Sequence, residues 1–262
     1  MVIKWESVDG KIIEFTNKNK YILEKKTGFS YPPNDLKLVK SPYQIGSTLI
    51  GQVIEPRVIE IEFTIITEDK ELLLQRKREV INAFNPLKGK GKLTYDDQDN
   101  TYQIKAVSEQ SPKFLKNRRT YQDIYLKLHA PDPRWYNPDE FTAVLTQNTE
   151  IVNNGDTQTP CIFKLNGPMS NPMIINKTTG QKISINHTTS SGEKVVINTK
   201  FGSKSIVLYD SLERKRKAFS LLSFDSQLFG LVRGSNIIYF RASNMNEESN
   251  GIINYKERYL RI

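Results

Sequence analysis

Residues 132–138, Asp132-Pro133-Arg134-Trp135-Tyr136-Asn137-Pro138, separate two different sequence patterns and so decide the fold. Before them the chain alternates like strands, breaks once into helical spacing, and returns to hairpins. After them it consists almost wholly of short β segments closed by Asn, Gly, Pro and Ser turns. The expected fold is mainly β. A β-rich α+β domain with one helix should span residues 1–135, and an antiparallel β-sandwich residues 136–262.

Upstream, residues 5–15 place Val8, Ile12, Ile13 and Phe15 around Asp9-Gly10, the signature of an opening hairpin. Residues 28–51 contain Pro32-Pro33 and Ser41-Pro42 and read as a long loop with little regular structure. Residues 58–65 then alternate with period two, which puts Ile59, Ile61, Phe63 and Ile65 on the buried face of a strand. Thr67 is the expected N-cap of a helix over 68–84, with Glu68, Asp69 and Glu71 near its positive end. Leu73, Val80, Ile81 and Phe84 fall at helical spacing, and Asn85-Pro86 stops the helix. Glycines 89 and 91 turn the chain into a strand at 93–95. A turn at 96–100 leads to a strand at 101–107, and a last strand covers 121–130.

Downstream, strands are expected at 162–165, 173–175, 183–185, 195–197, 206–208, 231–232, 237–240 and 252–260. Turns separate them at Asn154-Gly155, Thr179-Gly180, Ser191-Gly192 and Gly234-Ser235-Asn236. Sheets that end in open edges present unpaired N–H and C=O groups, which a neighbouring subunit can cover.

Composition narrows the function. The chain has 262 residues, 37% of them apolar and 26% charged. No stretch approaches the roughly 20 apolar residues of a membrane span, so no membrane insertion is expected. No basic-then-apolar leader opens the chain, and Cys161 has no partner for a disulfide, which fits a reducing site of synthesis. The net charge of +9 divides into +5 over residues 1–135 and +4 over 136–262. Such even spread is unlike the clustered basic face of a nucleic-acid module. Two local runs, 113–119 and 214–217, read as solvated loops, with contact to a phosphate backbone or an acidic partner as the alternative.

Reactive constellations are scarce. His129, His187 and Cys161 fit no zinc spacing, so no metal site is expected. Asp96, Asp97 and Asp99 form a compact acidic group that a hairpin turn explains better than calcium does. No Gly-x-Ser-x-Gly elbow occurs, and Gly89-Lys90-Gly91-Lys92 follows a helix rather than preceding one, so it is no P-loop. Neither an enzyme nor a cofactor is expected. A glycan site would need an exposed aromatic face. No tryptophan follows Trp135, and Tyr209, Tyr239, Tyr255 and Tyr259 sit at packing positions.

The first half carries Pro56-Arg57 before the alternating strand, Asn85-Pro86 after the helix, and Asp132-Pro133 with Trp135-Tyr136 at the junction. The second carries Asn154-Gly155, Asn171-Pro172, and Gly234 with Asn236. In these motifs and their order the chain resembles the distal tail proteins of long-tailed siphophages. The resemblance implies a virion protein at the tail tip, assembled in the bacterial cytoplasm. Its N-terminal domain would form a homo-hexameric ring, and its C-terminal galectin-like sandwich would lie outside that ring. The implied partners are further copies of itself, the tail tube protein, and the tail-tip or tail-lysin protein. Baseplate or receptor-binding proteins could join them, and DNA would touch the chain only in transit. Residues 28–51 and 108–120 are the expected mating or lumen loops. A carbohydrate-binding host-adhesion protein acting through the sandwich is the alternative.

Overall fold

The computed structural model describes residues 1–18 and 20–262 and divides into two units. Unit 1 comprises Met1–Pro138 together with Tyr259–Ile262, and unit 2 comprises Asp139–Arg258. The closing four residues, which the sequence places in a second domain from 136 to 262, therefore belong with the first unit.

Unit 1 is built around the period-two strand. In chain order it contains β1 (Val2–Glu6), β2 (Ile12–Phe15), β3 (Tyr21–Thr27), β4 (Asn34–Val39), β5 (Thr48–Ile54) and β6 (Arg57–Ile66). Helix α1 (Lys70–Ala83) follows, then β7 (Gly91–Asp96), β8 (Thr101–Ser108), β9 (Lys113–Asn117), β10 (Tyr121–Ala130) and β11 (Trp135–Tyr136). The main sheet runs β2-β1-β7-β8-β10-β6-β3, with β9 also paired to β10. Along β6 and β10 the register sets Ile59 opposite Leu128, Ile61 opposite Leu126, and Phe63 opposite Ile124. All six are buried, because the alternation of both strands points them to one face. Phe15 meets Phe63 edge-on at 4.8 Å, and Trp5 stacks on Phe84 at 5.1 Å while its indole N–H donates to the Ala83 carbonyl at 2.8 Å. Each such side chain, fully buried, contributes on the order of 2 kcal/mol.

Three details differ from the sequence reading. The helix cap is Asp69, not Thr67. The Asp69 carboxylate accepts from the Leu72 N–H at 2.7 Å, while the Thr67 hydroxyl donates to the Asp69 carbonyl. An ionised cap satisfies an orphan N–H and faces the positive helix end at once. Ile81 stands on the outer face, 43% exposed, because Leu73, Val80 and Ala83 already fill the inner stripe. The third difference is larger. Residues 28–51 are not a structureless loop, since β4 and β5 form a separate two-stranded antiparallel sheet. Likewise β9 pairs with β10 inside the stretch 108–120.

Unit 2 is a two-sheet antiparallel sandwich. Its strands are β12 (Phe141–Leu145), β13 (Thr149–Asn153), β14 (Thr159–Asn166), β15 (Met169–Asn176), β16 (Gln181–Ser184) and β17 (Thr188–Thr189). They continue with β18 (Lys194–Asn198), β19 (Ser205–Tyr209), β20 (Lys215–Lys217), β21 (Gly230–Leu231), β22 (Gly234–Ser243) and β23 (Asn250–Tyr255). One sheet runs β12-β23-β14-β18-β19-β20, with β21 on β14, and the other runs β13-β22-β15-β16, with β17 on β15. Phe163, Leu165, Ile174, Ile197, Ile238 and Ile253, none with any measurable exposure, fill the space between. The basic run that reads as a loop is in part the edge strand β20.

Gly28 precedes the β4–β5 excursion at φ +84°, and a Cβ there would lie 2.1 Å from the Val58 carbonyl oxygen in β6. Gly46, near the far end of that excursion at φ +81°, has open space around it. Gly28→Ala should therefore lower the urea midpoint by about 3 kcal/mol equivalent, whereas Gly46→Ala should cost only the left-handed backbone penalty of about 1 kcal/mol.

Candidate assembly surfaces

The sequence marks Arg57 only as part of a Pro-Arg pair ahead of a strand. In the structure its guanidinium is 1% exposed. Its Nε donates to the Pro133 carbonyl at 2.8 Å and its Nη1 to the Gly28 carbonyl at 2.6 Å. Nη1 also reaches the Ser30 carbonyl, and Nη2 the Leu260 carbonyl. One planar fork thus holds the approach to β4, the junction residues and the chain's last segment. Trp135 lies against this group, 5.8 Å from ring centroid to guanidinium carbon, and stacks on Phe29 at 5.3 Å. Asp132 fixes the bend by accepting from the Arg134 Nε at 2.7 Å. Tyr136 pairs with Gln103 at the margin of β8. The sequence motifs Pro56-Arg57 and Asp132-Pro133-Trp135-Tyr136 therefore meet in one place.

From that anchor the β4–β5 hairpin extends without a covering layer. Leu38 faces Leu49 across the pair, and Leu36, Val39, Val53 and Ile54 are also between 41% and 55% exposed. Tyr43 and Ile45 at its tip are fully exposed. Of the 26 large apolar side chains exposed among the described residues, ten lie within residues 31–54. A two-stranded sheet with neither face covered is marginal in water, and an apolar patch this concentrated marks a contact surface.

The remaining motif residues make local turn and backbone contacts. Asn85 accepts from the Leu87 N–H at 3.0 Å and starts the single helical turn that Pro86 opens. In unit 2, Asn154 donates its side-chain amide to Glu257 at 2.9 Å. A Cβ on Gly155 would lie 2.5 Å from the Arg258 carbonyl oxygen. Asn236, wholly buried, donates to the Val232 and Gly234 carbonyls and accepts from the Val232 N–H and the Asn176 amide. Asn171 occupies a left-handed conformation at φ +49° beside Pro172, and Gly234 opens β22 at φ +83°. Sequence reasoning assigns no buried hydrogen-bonding role to Asn153, Asn176 or Glu257. Asn153 is wholly buried, donates to the Thr157 and Leu231 carbonyls, and accepts from the Gly155 N–H. Its only advance signal is its place before Asn154-Gly155.

Among the described residues, no three His, Cys, Asp or Glu side chains could hold a metal together. Burial pushes the Cys161 thiol up to about 12, so it stays protonated at neutral pH. Of the tyrosines weighed for sugar stacking, Tyr255 packs on Phe141 at 5.4 Å and Tyr259 on Tyr102 at 5.2 Å. Lys194 covers Tyr209 at 5.1 Å, and Lys177 covers Tyr239 at 4.8 Å.

Two family models match the chain. Residues 8–129 match the phage tail protein RIFT-related domain, and residues 154–259 match the siphovirus-type tail component, C-terminal domain. The chain belongs to the siphophage distal tail protein family. Among solved structures it is similar to the Dit protein of phage SPP1, described as a paradigm of the hub adsorption apparatus in phages that infect Gram-positive hosts. The TM-score is 0.75 at 14% identity, covering 98% of this chain and 99% of that one. It is also similar to chains of the phage P2 baseplate in its activated conformation, with calcium and with strontium. There the TM-scores are 0.56 and 0.57 at 10% identity, covering all of this chain and 99% of each of those. No curated protein matches. Membership makes this distal tail protein a component of the virion tail and of its hub or adsorption apparatus.

Because a lysine offers a point charge rather than a fork, Arg57→Lys in this family member leaves at least one buried carbonyl without its donor. The substitution should cost about 3 kcal/mol, read as a lower urea midpoint with an unchanged slope.

Proposed function

We propose that this chain is the structural hub at the tip of a siphophage tail. Copies close into a ring, six in number by the family resemblance, that joins the tail tube to the tail-tip or tail-lysin protein and to baseplate proteins. DNA crosses the ring through its lumen. The N-terminal half builds the ring, the galectin-like C-terminal half sits at its periphery, and assembly takes place in the host cytoplasm.

One observation carries the reading: the β4–β5 hairpin exposes apolar residues on a sheet that has no layer of its own. A ring contact is heterologous, so each copy presents one surface that projects and another that receives. A projecting hairpin suits the first role. It combines open strand edges for backbone pairing with leucines for burial.

Leu38→Asp combined with Leu49→Asp should leave the thermal unfolding of the isolated chain nearly unchanged, because both side chains are exposed. The same pair should abolish ring particles in native mass spectrometry and leave the gene unable to complement tail assembly. Rings formed at the wild-type level by this variant would remove the hairpin from the interface.

A further inference from the structure

Four cations and two leucines outline an open pocket of about 540 Å³ on unit 1. Lys70, Leu73, Leu74 and Lys77 come from α1, and Arg118 and Arg119 from the turn between β9 and β10. The arrangement is held in place from below. The Lys77 ammonium donates to the Gln122 side chain at 2.9 Å and lies 4.7 Å from the centroid of the Phe114 ring. Gln122, wholly buried, donates in turn to the Lys116 and Asp123 carbonyls. The basic turn is thus tied to the helix through one amide. Among the described residues, no carboxylate pairs with Lys70, Arg118 or Arg119. A fixed cluster of like charges is destabilising by itself and calls for an opposite charge from outside.

The same chain carries that opposite charge elsewhere. Asp96, Asp97 and Asp99 occupy the turn between β7 and β8. The Asp96 carboxylate accepts from the Gln98 N–H at 2.9 Å, and that of Asp97 from the Asn100 N–H at 2.7 Å, so both acids help to shape the turn. None of the three pairs with a cation among the described residues. The register places this turn far from the pocket. β8 and β9 run in one lane beside β10, with Ser108 opposite Leu128 and Lys113 opposite Tyr125. The acidic turn precedes the start of that lane and the basic turn follows its end. The two charge clusters therefore lie at opposite ends of the sheet and cannot neutralise each other within one copy.

From this geometry we infer that the basic pocket of one copy receives the acidic turn 96–99 of the next, a second, electrostatic contact between subunits. The inference rests on the ring reading above and adds to it. A donor and an acceptor surface at opposite ends form a heterologous head-to-tail contact that repeats from copy to copy, giving a ring where the rotation between copies closes and a filament where it does not. Of the two apolar lining residues Leu73 is buried and Leu74 exposed, so ion pairs formed there would lie partly against apolar surface, which strengthens them relative to fully solvated pairs. Salt should weaken the contact.

The test uses two full-length charge reversals, Arg118→Glu/Arg119→Glu and Asp99→Lys/Asn100→Lys. All four side chains are exposed, so both variants should fold, as checked by thermal unfolding. Self-association is followed by sedimentation velocity. Each variant alone should associate about tenfold or more weakly than wild type, because it now opposes like charges. An equimolar mixture should recover wild-type association, since alternating copies present matched charges at both contacts. Wild-type association by either variant alone, or a mixture no tighter than its components, would overturn the inference and leave the hub reading standing. A wild-type chain that stays monomeric at every concentration and salt would also overturn it. The hub reading would then be judged separately, by complementation of tail assembly with the hairpin variant.

Discussion

A buried guanidinium cannot be left partly satisfied, and the architecture of unit 1 is arranged around that constraint. Removing an arginine from water costs several kcal/mol unless its donors find partners. Arg57 finds them in the carbonyls of Gly28, Ser30, Pro133 and Leu260, drawn from segments far apart in sequence. Satisfying one charge thus fixes where the chain leaves for the β4–β5 hairpin, where it bends before unit 2, and where it ends. The last point explains why Tyr259–Ile262 belongs to unit 1. In sequence terms unit 2 is an insertion between two strands of chain that the same side chain holds. The Ile262 N–H donating to the Phe29 carbonyl continues the same attachment.

Much of this fold is legible in the sequence where burial imposes a period. β10 alternates along its whole length and β6 as far as Phe63 because one face of each is core, and α1 shows Leu73 and Val80 seven residues apart for the same reason. The reading fails where no core imposes a pattern. Residues 34–39 and 48–54 form strands, yet every described side chain there except Gly51 is exposed, so nothing forces alternation and the flanking prolines dominate. β20 is hidden for a related reason, since three consecutive cations on an exposed edge look like a solvated loop. Arg57 was legible only as a motif member. Charged residues are seldom fully buried, and no local pattern announces the four carbonyls that gather around this one.

The candidate surfaces were legible unevenly as well. Turn residues such as Asn154, Asn171 and Gly234 stand out because their backbone roles restrict which side chains fit, and their order along the chain carries the family resemblance. The buried amides that complete those turns, Asn153 and Asn176, have no such local mark. Interior positions tolerate exchange among apolar residues of similar volume, whereas turns that need a left-handed residue or a side-chain acceptor do not.

Unit 1 and unit 2 manage their open strands in opposite ways, and the contrast has a physical logic. β20 ends its sheet with Lys215, Arg216 and Lys217, all exposed. A second copy approaching that edge would bring the same three charges, so edge-to-edge growth there is repelled, a common protection for strand margins. The β4–β5 hairpin has no comparable block of like charge. Its strands place Leu36, Leu38, Leu49 and Ile54 where a neighbour can bury them. Covering such side chains yields roughly 25 cal/mol for each Å² removed from water, and ordering a hairpin that is marginal alone consumes part of that gain. The balance favours association only when the partner presents a matching surface. Such a chain combines an edge that repels its own copies with a hairpin that a matching surface can cover, so the charged edge narrows the contacts open to the apolar hairpin.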